Sequence, residues 1–156
     1  MDVINGMPAH ALLLHFALVL VPLTAALEIV CGVWPAARRG QTLWLTALFA
    51  VATLVLTLLT VNAGQWLYDR SPQHSPIVRE HASLGSTMNY VAAALLAVAV
   101  ALAALRVVER RSDKRRVAAR LVVAILALAV GIASMVQIYR VGDAGARAVW
   151  GDNQSG

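Results

Sequence analysis

The sequence predicts an all-α integral membrane protein in which four helices form a bundle. Two observations lead to this fold class. Of the 156 residues, 60% are hydrophobic and only 13% are charged, whereas soluble domains average roughly 25% charged residues. The hydrophobic residues also lie in four runs, each long enough to supply the ~20 residues with which a helix crosses a bilayer. This pattern argues against a soluble domain.

The four predicted spans belong to one domain that covers residues 1–156 and ends in a short C-terminal tail. They are Ala11–Trp34, Thr42–Leu67, Ser83–Leu105 and Val117–Ile138. The first span is not expected to be a cleaved signal peptide, because no basic residue precedes it. Its apolar run also exceeds the ~7–15 residues of the apolar region within a signal peptide. In the tail, residues 142–150 are predicted to form a short surface helix that Trp150 anchors.

The basic residues predict the orientation of the spans. Nine of the thirteen lie on the side that holds the first and third connections, namely Arg38, Arg39, Arg106, Arg110, Arg111, Lys114, Arg115, Arg116 and Arg120. Because basic residues concentrate on the cytoplasmic side, both termini are expected outside, in a multi-pass protein of the bacterial cytoplasmic membrane. The net charge of +5 is then a topology signal, and no nucleic-acid partner is expected.

Small residues at helical spacing predict the faces along which the spans pack. Alanine is so frequent that some stripe is also expected by chance. Cys31 is the only cysteine, so no intrachain disulfide is available and a packing role is expected. The predicted faces are Thr53, Thr57, Thr60 and Gly64 on the second span, Ser86, Asn89, Ala93, Ala97, Ala101 and Ala104 on the third, and Ala124, Ala127, Gly131 and Ser134 on the fourth.

The histidines carry the chemical signal of this sequence, and all four lie on the predicted outer side. His15 stands inside the first span, where an ionisable residue is a candidate for function. His81 opens the third span one turn before Gly85, which leaves space for a flat ligand. Two imidazoles from different helices of a bundle suit a six-coordinate haem b iron. The competing interpretation is a pair of packed histidines bonded to polar neighbours such as Asn62, which is also a candidate to orient an imidazole at a cofactor site.

A divalent metal ion is the alternative cofactor, with His10, His15 and His81 as ligands of the kind that zinc or copper accepts. The five-residue spacing of His10 and His15 counts against this site, since it turns them about 140° apart on a helix. His74 is expected to be a solvent-exposed loop residue. The predicted cytoplasmic half contains no histidine, so electrons would enter or leave near the outer face or exchange with a quinone.

Glu28 is an acidic residue inside the first span, and such a group needs a partner or a proton. Arg120 is the candidate partner, with snorkelling of Arg120 to the interface as the alternative. The sequence contains no nucleophile–base constellation, phosphate-binding loop or metalloprotease motif, so hydrolytic chemistry has no support.

Four segments of the chain resemble the bacterial membrane family catalogued as domain of unknown function 2231. They are residues 4–16, which include both N-terminal histidines, and residues 63–68, 81–85 and 142–150. The chain departs from the family pattern at Ala11 and Ala17, where relatives usually have proline. The resemblance implies four spans with histidines matching His10, His15 and His81. Because some relatives carry a Rieske or cytochrome c domain, it also implies a redox setting with a b-type haem, although the family has no settled biochemical function.

The leading hypothesis is therefore an electron-transfer protein, and no catalytic residue is assigned. One haem b is expected near the outer face, with His15 and His81 as ligands and Gly85 and Asn62 beside it. The competing hypothesis is a non-catalytic membrane scaffold or accessory subunit that binds a metal ion, or nothing, at the same histidines. The bilayer is the expected environment; a quinone, an outer-side redox protein and a homodimer stay open as partners.

Overall fold

The computed structural model describes residues 3–4, 7–70, 75–111 and 117–150, with side chains within residues 12–70, 75–111 and 117–149. Two short strands, β1 (Val3–Ile4) and β2 (Met7–Pro8), pair antiparallel ahead of the first helix. All the other described elements are helices. They are α1 (Ala9–Val33), α2 (Pro35–Arg39), α3 (Thr42–Arg70), α4 (Pro76–Ser86), α5 (Met88–Arg111) and α6 (Val117–Trp150).

Four stretches of helix are long and apolar enough to cross a membrane, which confirms the predicted all-α multi-pass fold. They lie in α1, in α3, in α4 together with α5, and in α6. Only 22–39% of the residues in their most apolar windows are buried inside the protein. The remaining apolar side chains face outward, as expected where lipid tails rather than water surround the bundle.

Helices α1 and α3 run antiparallel along a seam of polar side chains. The hydroxyls of Thr24 and Thr53 lie 2.8 Å apart, and the Cys31 thiol lies 3.5 Å from the Thr46 hydroxyl. The two pairs belong to one antiparallel register, because Cys31 follows Thr24 by seven residues on α1 and Thr46 precedes Thr53 by seven residues on α3. Thr53, Thr57 and Thr60 are all buried, which confirms the face predicted for the second span.

Helices α1 and α6 approach closely through small residues. A Cβ atom added at Gly32 would lie 3.0 Å from Cβ of Ala127, and one added at Gly131 would lie 2.8 Å from Cδ1 of Ile29. Ala127 and Ser134 are buried as well. The face predicted for the fourth span is therefore confirmed, and glycine at these two positions lets the backbones come together.

The face predicted for the third span is wrong. Ala93, Ala97 and Ala104 are exposed. In an alanine-rich helix several stripes have the same spacing, and the larger side chains decide between them because they make more van der Waals contacts with the neighbouring helices. The buried face consists of Ala92, Leu95, Val98, Ala99, Leu102 and Leu105.

The third span also begins differently from the prediction, because the helix is interrupted at Thr87. The Thr87 hydroxyl donates to the carbonyl of Leu84 at 2.7 Å and accepts a hydrogen bond from Nε2 of Gln137 in α6 at 2.7 Å. The preceding helix α4 begins after Ser75, whose hydroxyl accepts from the amide of Val78 at 3.3 Å. His81 therefore belongs to this separate helix α4.

Helix α6 continues without a break through the segment predicted to form a separate surface helix. It contains 34 residues, so it is about 51 Å long at 1.5 Å per residue, against a hydrocarbon core of about 30 Å. Its last turns pack against α4, where Arg147 of α6 lies 3.7 Å from Glu80. The prediction of a distinct tail helix is wrong because no residue between 138 and 150 interrupts the helix.

The bundle has two ends. We call the end where α1 and α5 begin and α3 and α6 end the histidine end, and the opposite end, which holds α2, the arginine end. Arg38 of α2 is buried, although the sequence assigned it only a topological role. Its guanidinium donates to Glu109 at 2.9 and 3.3 Å and to the carbonyl of Cys31.

Candidate functional site

A cavity of about 670 Å³ lies at the histidine end of the bundle. Side chains of α1, α3, α4 and α6 form its walls, and Met88 at the start of α5 also lines it. Its volume falls within the ~300–1,000 Å³ typical of cofactor and ligand sites, and its mainly apolar lining is typical as well. The cavity exists because α6 extends to Trp150 and supplies a wall that faces α4.

His15 and His81 both line this cavity. His15 is exposed and His81 is half-buried. Leu18 of α1 lies next to Gly142 of α6. Because the two helices are antiparallel, three residues back along α1 and three residues forward along α6 place His15 at the level of Gly145. The imidazole of His81 lies against Gly145 itself. The structure thus brings the two predicted ligands to one cavity at the same level along the bundle axis.

Glycines provide the space around His81. A Cβ atom added at Gly145 would lie 3.0 Å from Cε1 and 3.3 Å from Nδ1 of the His81 ring. Such a contact is tighter than most real Cβ contacts, so a side chain at residue 145 would require the imidazole to shift by a few tenths of an ångström. Gly85, one turn after His81, also lines the cavity, and a Cβ added there meets nothing within 4 Å.

Polar groups of α3 complete the wall opposite α6. Thr57, Thr60, Gln65 and Tyr68 line the cavity. The Thr60 hydroxyl donates to the carbonyl of Leu56 at 2.7 Å, and Nε2 of Gln65 donates to Oδ1 of Asp69 at 3.0 Å. The cavity thus combines a few polar atoms with mainly apolar side chains. In ligand sites of this kind, the polar atoms fix the orientation of the ligand.

The remaining predicted site residues lie elsewhere. Asn62 is exposed, and it is absent from the cavity lining that the described residues form. His10 lies in the first turn of α1, but its side chain is outside the described residues, as is the whole of His74. Among the side chains that the structure describes, no group of three or more histidine, cysteine, aspartate or glutamate residues is arranged to hold a metal ion.

The described residues of the cavity offer what a planar iron porphyrin requires. They offer two imidazoles from different helices, α1 and α4, and an open face at Gly85. A porphyrin needs two axial ligands and apolar walls. A structural metal ion needs three or four converging ligands. The roles of His15, His81, Gly85 and Asn62 as cofactor-binding residues stay predictions.

The pairing predicted between Glu28 and Arg120 is wrong. Nε of Arg120 donates to Oε1 of Glu109 at 2.7 Å, and Glu109 also binds Arg38. Two arginines from α2 and α6 therefore share one carboxylate of α5 at the arginine end. Glu28 is fully buried, and neither of its carboxylate oxygens has a hydrogen-bond partner among the described residues.

Sequence reasoning missed two features of these sites. The first is the wall formed by Gly142 and Gly145, whose three-residue spacing on one helix face is the signal that a neighbour approaches closely. The second is the Arg38–Glu109–Arg120 cluster. Its members are 71 and 11 residues apart, so no local pattern connects them.

Neither the curated proteins nor the solved structures include a match to this chain. A family model does match it, over residues 6–154, with the description "Predicted membrane protein (DUF2231)". The matched region contains both cavity histidines and every helix that could cross the membrane. The chain therefore belongs to the DUF2231 family of predicted membrane proteins, as the motifs of its sequence indicated.

Proposed function

We propose that the protein transfers electrons within the membrane and binds one b-type haem in the cavity at the histidine end. The observation that carries this proposal is the placement of His15 and His81, on two different helices, in the lining of one largely apolar cavity. A haem held by two histidines supplies one-electron redox chemistry without a further reactive side chain.

In this proposal His15 and His81 are the axial ligands, and each has a distinct support. The His81 ring lies beside Gly145, in space that a side chain at residue 145 would crowd. His15 is held on α1, whose neighbouring Leu18 packs against Gly142. Open space at Gly85 accommodates the edge of a planar ring. The mainly apolar walls give the cavity low polarity, which is one of the factors that set the potential of a bound haem.

The position of the cavity defines the partners in the proposal. It lies at one end of the bundle, so electrons exchange there with a redox protein at that membrane face or with a quinone dissolved in the bilayer. Among the described residues, both histidines whose side chains are placed lie at this end. A single haem there does not by itself carry an electron across the membrane.

The test is a visible spectrum of the protein purified from membranes, supplemented with haemin during expression. We expect a b-type band in the reduced-minus-oxidised difference spectrum. Replacing either axial ligand, in His15→Ala or His81→Ala, should remove the band or convert it to a five-coordinate spectrum. His74→Ala is the matched control, because it removes a histidine at a position predicted to be a loop, and the band should persist.

Two results would contradict the proposal. The first is a protein that stays colourless when excess haemin is added to well-folded material; this outcome favours the non-catalytic scaffold or accessory subunit. The second is a band that survives both His15→Ala and His81→Ala, which would place the haem elsewhere. Metal analysis of the same sample distinguishes a bound divalent ion from an empty protein.

A further inference from the structure

Glu28 is the buried ionisable group that the proposed function does not use. It lies in the interior of α1, its exposed fraction is 0%, and neither carboxylate oxygen has a hydrogen-bond partner among the described residues. An ionised carboxylate without a partner is very costly in an apolar interior. Ionisable residues inside membrane spans typically mark proton or ion pathways. The side chain therefore needs a functional explanation.

Hydroxyl groups connect Glu28 to the histidine end of the bundle. Thr24 precedes Glu28 by one turn on the same face of α1, and helical side chains lean toward the N-terminus of their helix, so the carboxyl group leans toward Thr24. The Thr24 hydroxyl in turn forms the 2.8 Å hydrogen bond with Thr53 of α3, in which either oxygen can be the donor. A hydrogen bond that works in both directions is what proton relay requires.

The route continues from Thr53 to the cavity. Thr57 lies one turn further along α3, its side chain is buried, and its hydroxyl oxygen has no partner among the described residues. Thr57 also lines the cavity. Each one-turn step is about 6 Å along the helix axis, a separation that one bridging water spans with two hydrogen bonds.

Toward the arginine end, the next polar groups of the seam between α1 and α3 have other hydrogen-bond partners. Thr46 donates its hydroxyl proton to the carbonyl of Thr42 at 2.8 Å, so the Cys31 thiol is the donor in the contact between Cys31 and Thr46. Beyond them, Arg38 is bound to Glu109 and to the carbonyl of Cys31. No reversible hydroxyl pair is present on this side among the described residues.

The ionisable groups of the neighbouring elements in this half leave Glu28 without a counter-ion. On α1 there is only the Cys31 thiol, and the described part of α3 beside it offers threonine hydroxyls alone. Arg38 of α2 and Arg120 of α6 both bind Glu109 of α5. Among the described residues, Arg106, Arg110 and Arg111 of α5 form no hydrogen bond or ion pair with Glu28, and Nε of Arg106 is itself buried without a hydrogen-bond partner.

We propose that Glu28 is a proton-binding site inside the bundle, and that its proton exchanges with the cavity at the histidine end through the hydroxyls of Thr24, Thr53 and Thr57. Each hydroxyl accepts a proton at its oxygen while it releases its own, so charge moves without oxidation or reduction. The bound form of Glu28 is the neutral carboxylic acid. The proposal does not depend on a cofactor in the cavity.

Infrared spectroscopy of the full-length protein in lipid bilayers tests the site. A protonated carboxylic acid has a carbonyl stretching band that ionised carboxylates lack, and the band shifts on exchange into D₂O. We expect such a band in the wild-type protein and its loss in Glu28→Gln, which keeps the size and polarity of the side chain. A band that survives in a folded Glu28→Gln protein overturns the assignment.

The route is tested by the rate at which this band shifts after transfer to D₂O. Thr57→Val and Thr53→Val remove a hydroxyl with little change in shape, and each should slow the shift roughly tenfold or more, the factor for a barrier higher by about 1.4 kcal/mol. Thr46→Val is the matched control on the same helix face and should leave the rate unchanged. Equal rates in all four proteins, or equal slowing by Thr46→Val, overturn the route.

A second measurement keeps the proposal falsifiable if Glu28→Gln does not fold. A hydrophobic carbodiimide reacts with protonated carboxyl groups inside membranes, and mass spectrometry locates the adduct on the wild-type protein. Glu28 should be labelled. Glu109, which two arginines hold ionised, and Glu80, which is exposed, are the internal controls and should stay unmodified. Absence of label on Glu28 overturns the proposal.

Discussion

The imidazole of His81 in α4 lies directly against Gly145 of α6, with Cε1 of the ring only 3.0 Å from where a Cβ atom of residue 145 would be. Residue 145 is 64 positions away in the chain, so the histidine is positioned by a helix that the sequence does not place near it. The lack of a side chain at residue 145 is therefore part of the construction of the cavity.

The first prediction concerns this contact. Gly145→Ala should displace the His81 ring, because the added methyl group would lie only 3.0 Å from Cε1 of the ring. The side-chain resonances of His81 in an NMR spectrum should therefore shift. Gly85→Ala is the control in α4, since a Cβ there meets nothing within 4 Å. It should leave the His81 resonances in place and raise the stability of the helix by up to about 1 kcal/mol. Unchanged resonances in Gly145→Ala would contradict the contact.

The second prediction compares two neighbouring arginines of α2. Arg38 is 1% exposed and binds Glu109, whereas Arg39 is exposed. Loss of one partner from a buried ion pair typically costs ~3–5 kcal/mol, while exposed substitutions usually stay within about 0.5 kcal/mol. Arg38→Ala should therefore lower the free energy of unfolding in detergent micelles by several times more than Arg39→Ala.

A double-mutant cycle isolates the pair itself. Arg38→Ala combined with Glu109→Ala should be less destabilised than the sum of the single variants, because that sum counts the loss of their interaction twice. Arg120, whose Nε lies 2.7 Å from Oε1 of Glu109, remains as a partner of Glu109 in Arg38→Ala, so the coupling energy will be reduced but not abolished. Strict additivity would show that Arg38 and Glu109 do not interact.

The third prediction concerns the close approach of α1 and α6. A methyl group at Gly32 meets Cβ of Ala127 at 3.0 Å, an atom that cannot move without its backbone, whereas one at Gly131 meets first the flexible end of Ile29 at 2.8 Å. Each methyl group would also lie 3.4 Å from a backbone atom of the facing helix. Overpacking typically costs ~1–3 kcal/mol. Gly32→Ala should destabilise the protein more than Gly131→Ala, as thermal unfolding in detergent would report.

A compensating variant checks the cause. Ala127→Gly added to Gly32→Ala moves the methyl group from α6 to α1 and should restore most of the lost stability. If the double variant is no more stable than Gly32→Ala alone, the contact between these two positions is not the source of the loss.

The sequence predicted the site residues that a local pattern marks, and it missed those whose role depends on contact with a distant part of the chain. His15 and His81 were predicted to share one site because each stands near the start of an apolar run, and the first and third spans of the bundle begin at the same end. Gly85 was identified from its position one turn after His81. The wall made by Gly142 and Gly145 was missed, because its role depends on α6 continuing far enough to pack against α4.

The polar seam of the first two spans illustrates the same division. The stripe of Thr53, Thr57 and Thr60 is readable from helical periodicity. The hydrogen bond between Thr24 and Thr53 is not, because it depends on the register of two antiparallel helices. The pairing of Arg120 was predicted incorrectly for the same reason, since Glu28 and Glu109 are both candidate partners by charge and only packing separates them.

The sequence by itself determined that four helices cross a membrane. A backbone polar group without a hydrogen bond is costly in lipid, so a long apolar segment forms a helix, which pairs these groups internally. It also determined which end of the bundle carries the histidines. The tertiary structure alone decided which faces meet, that α6 extends far enough to form a wall of the cavity, and that Glu28 has no counter-ion among the described residues. These outcomes depend on contacts between residues distant in the chain, and there the fit of side chains rather than local periodicity sets the free energy.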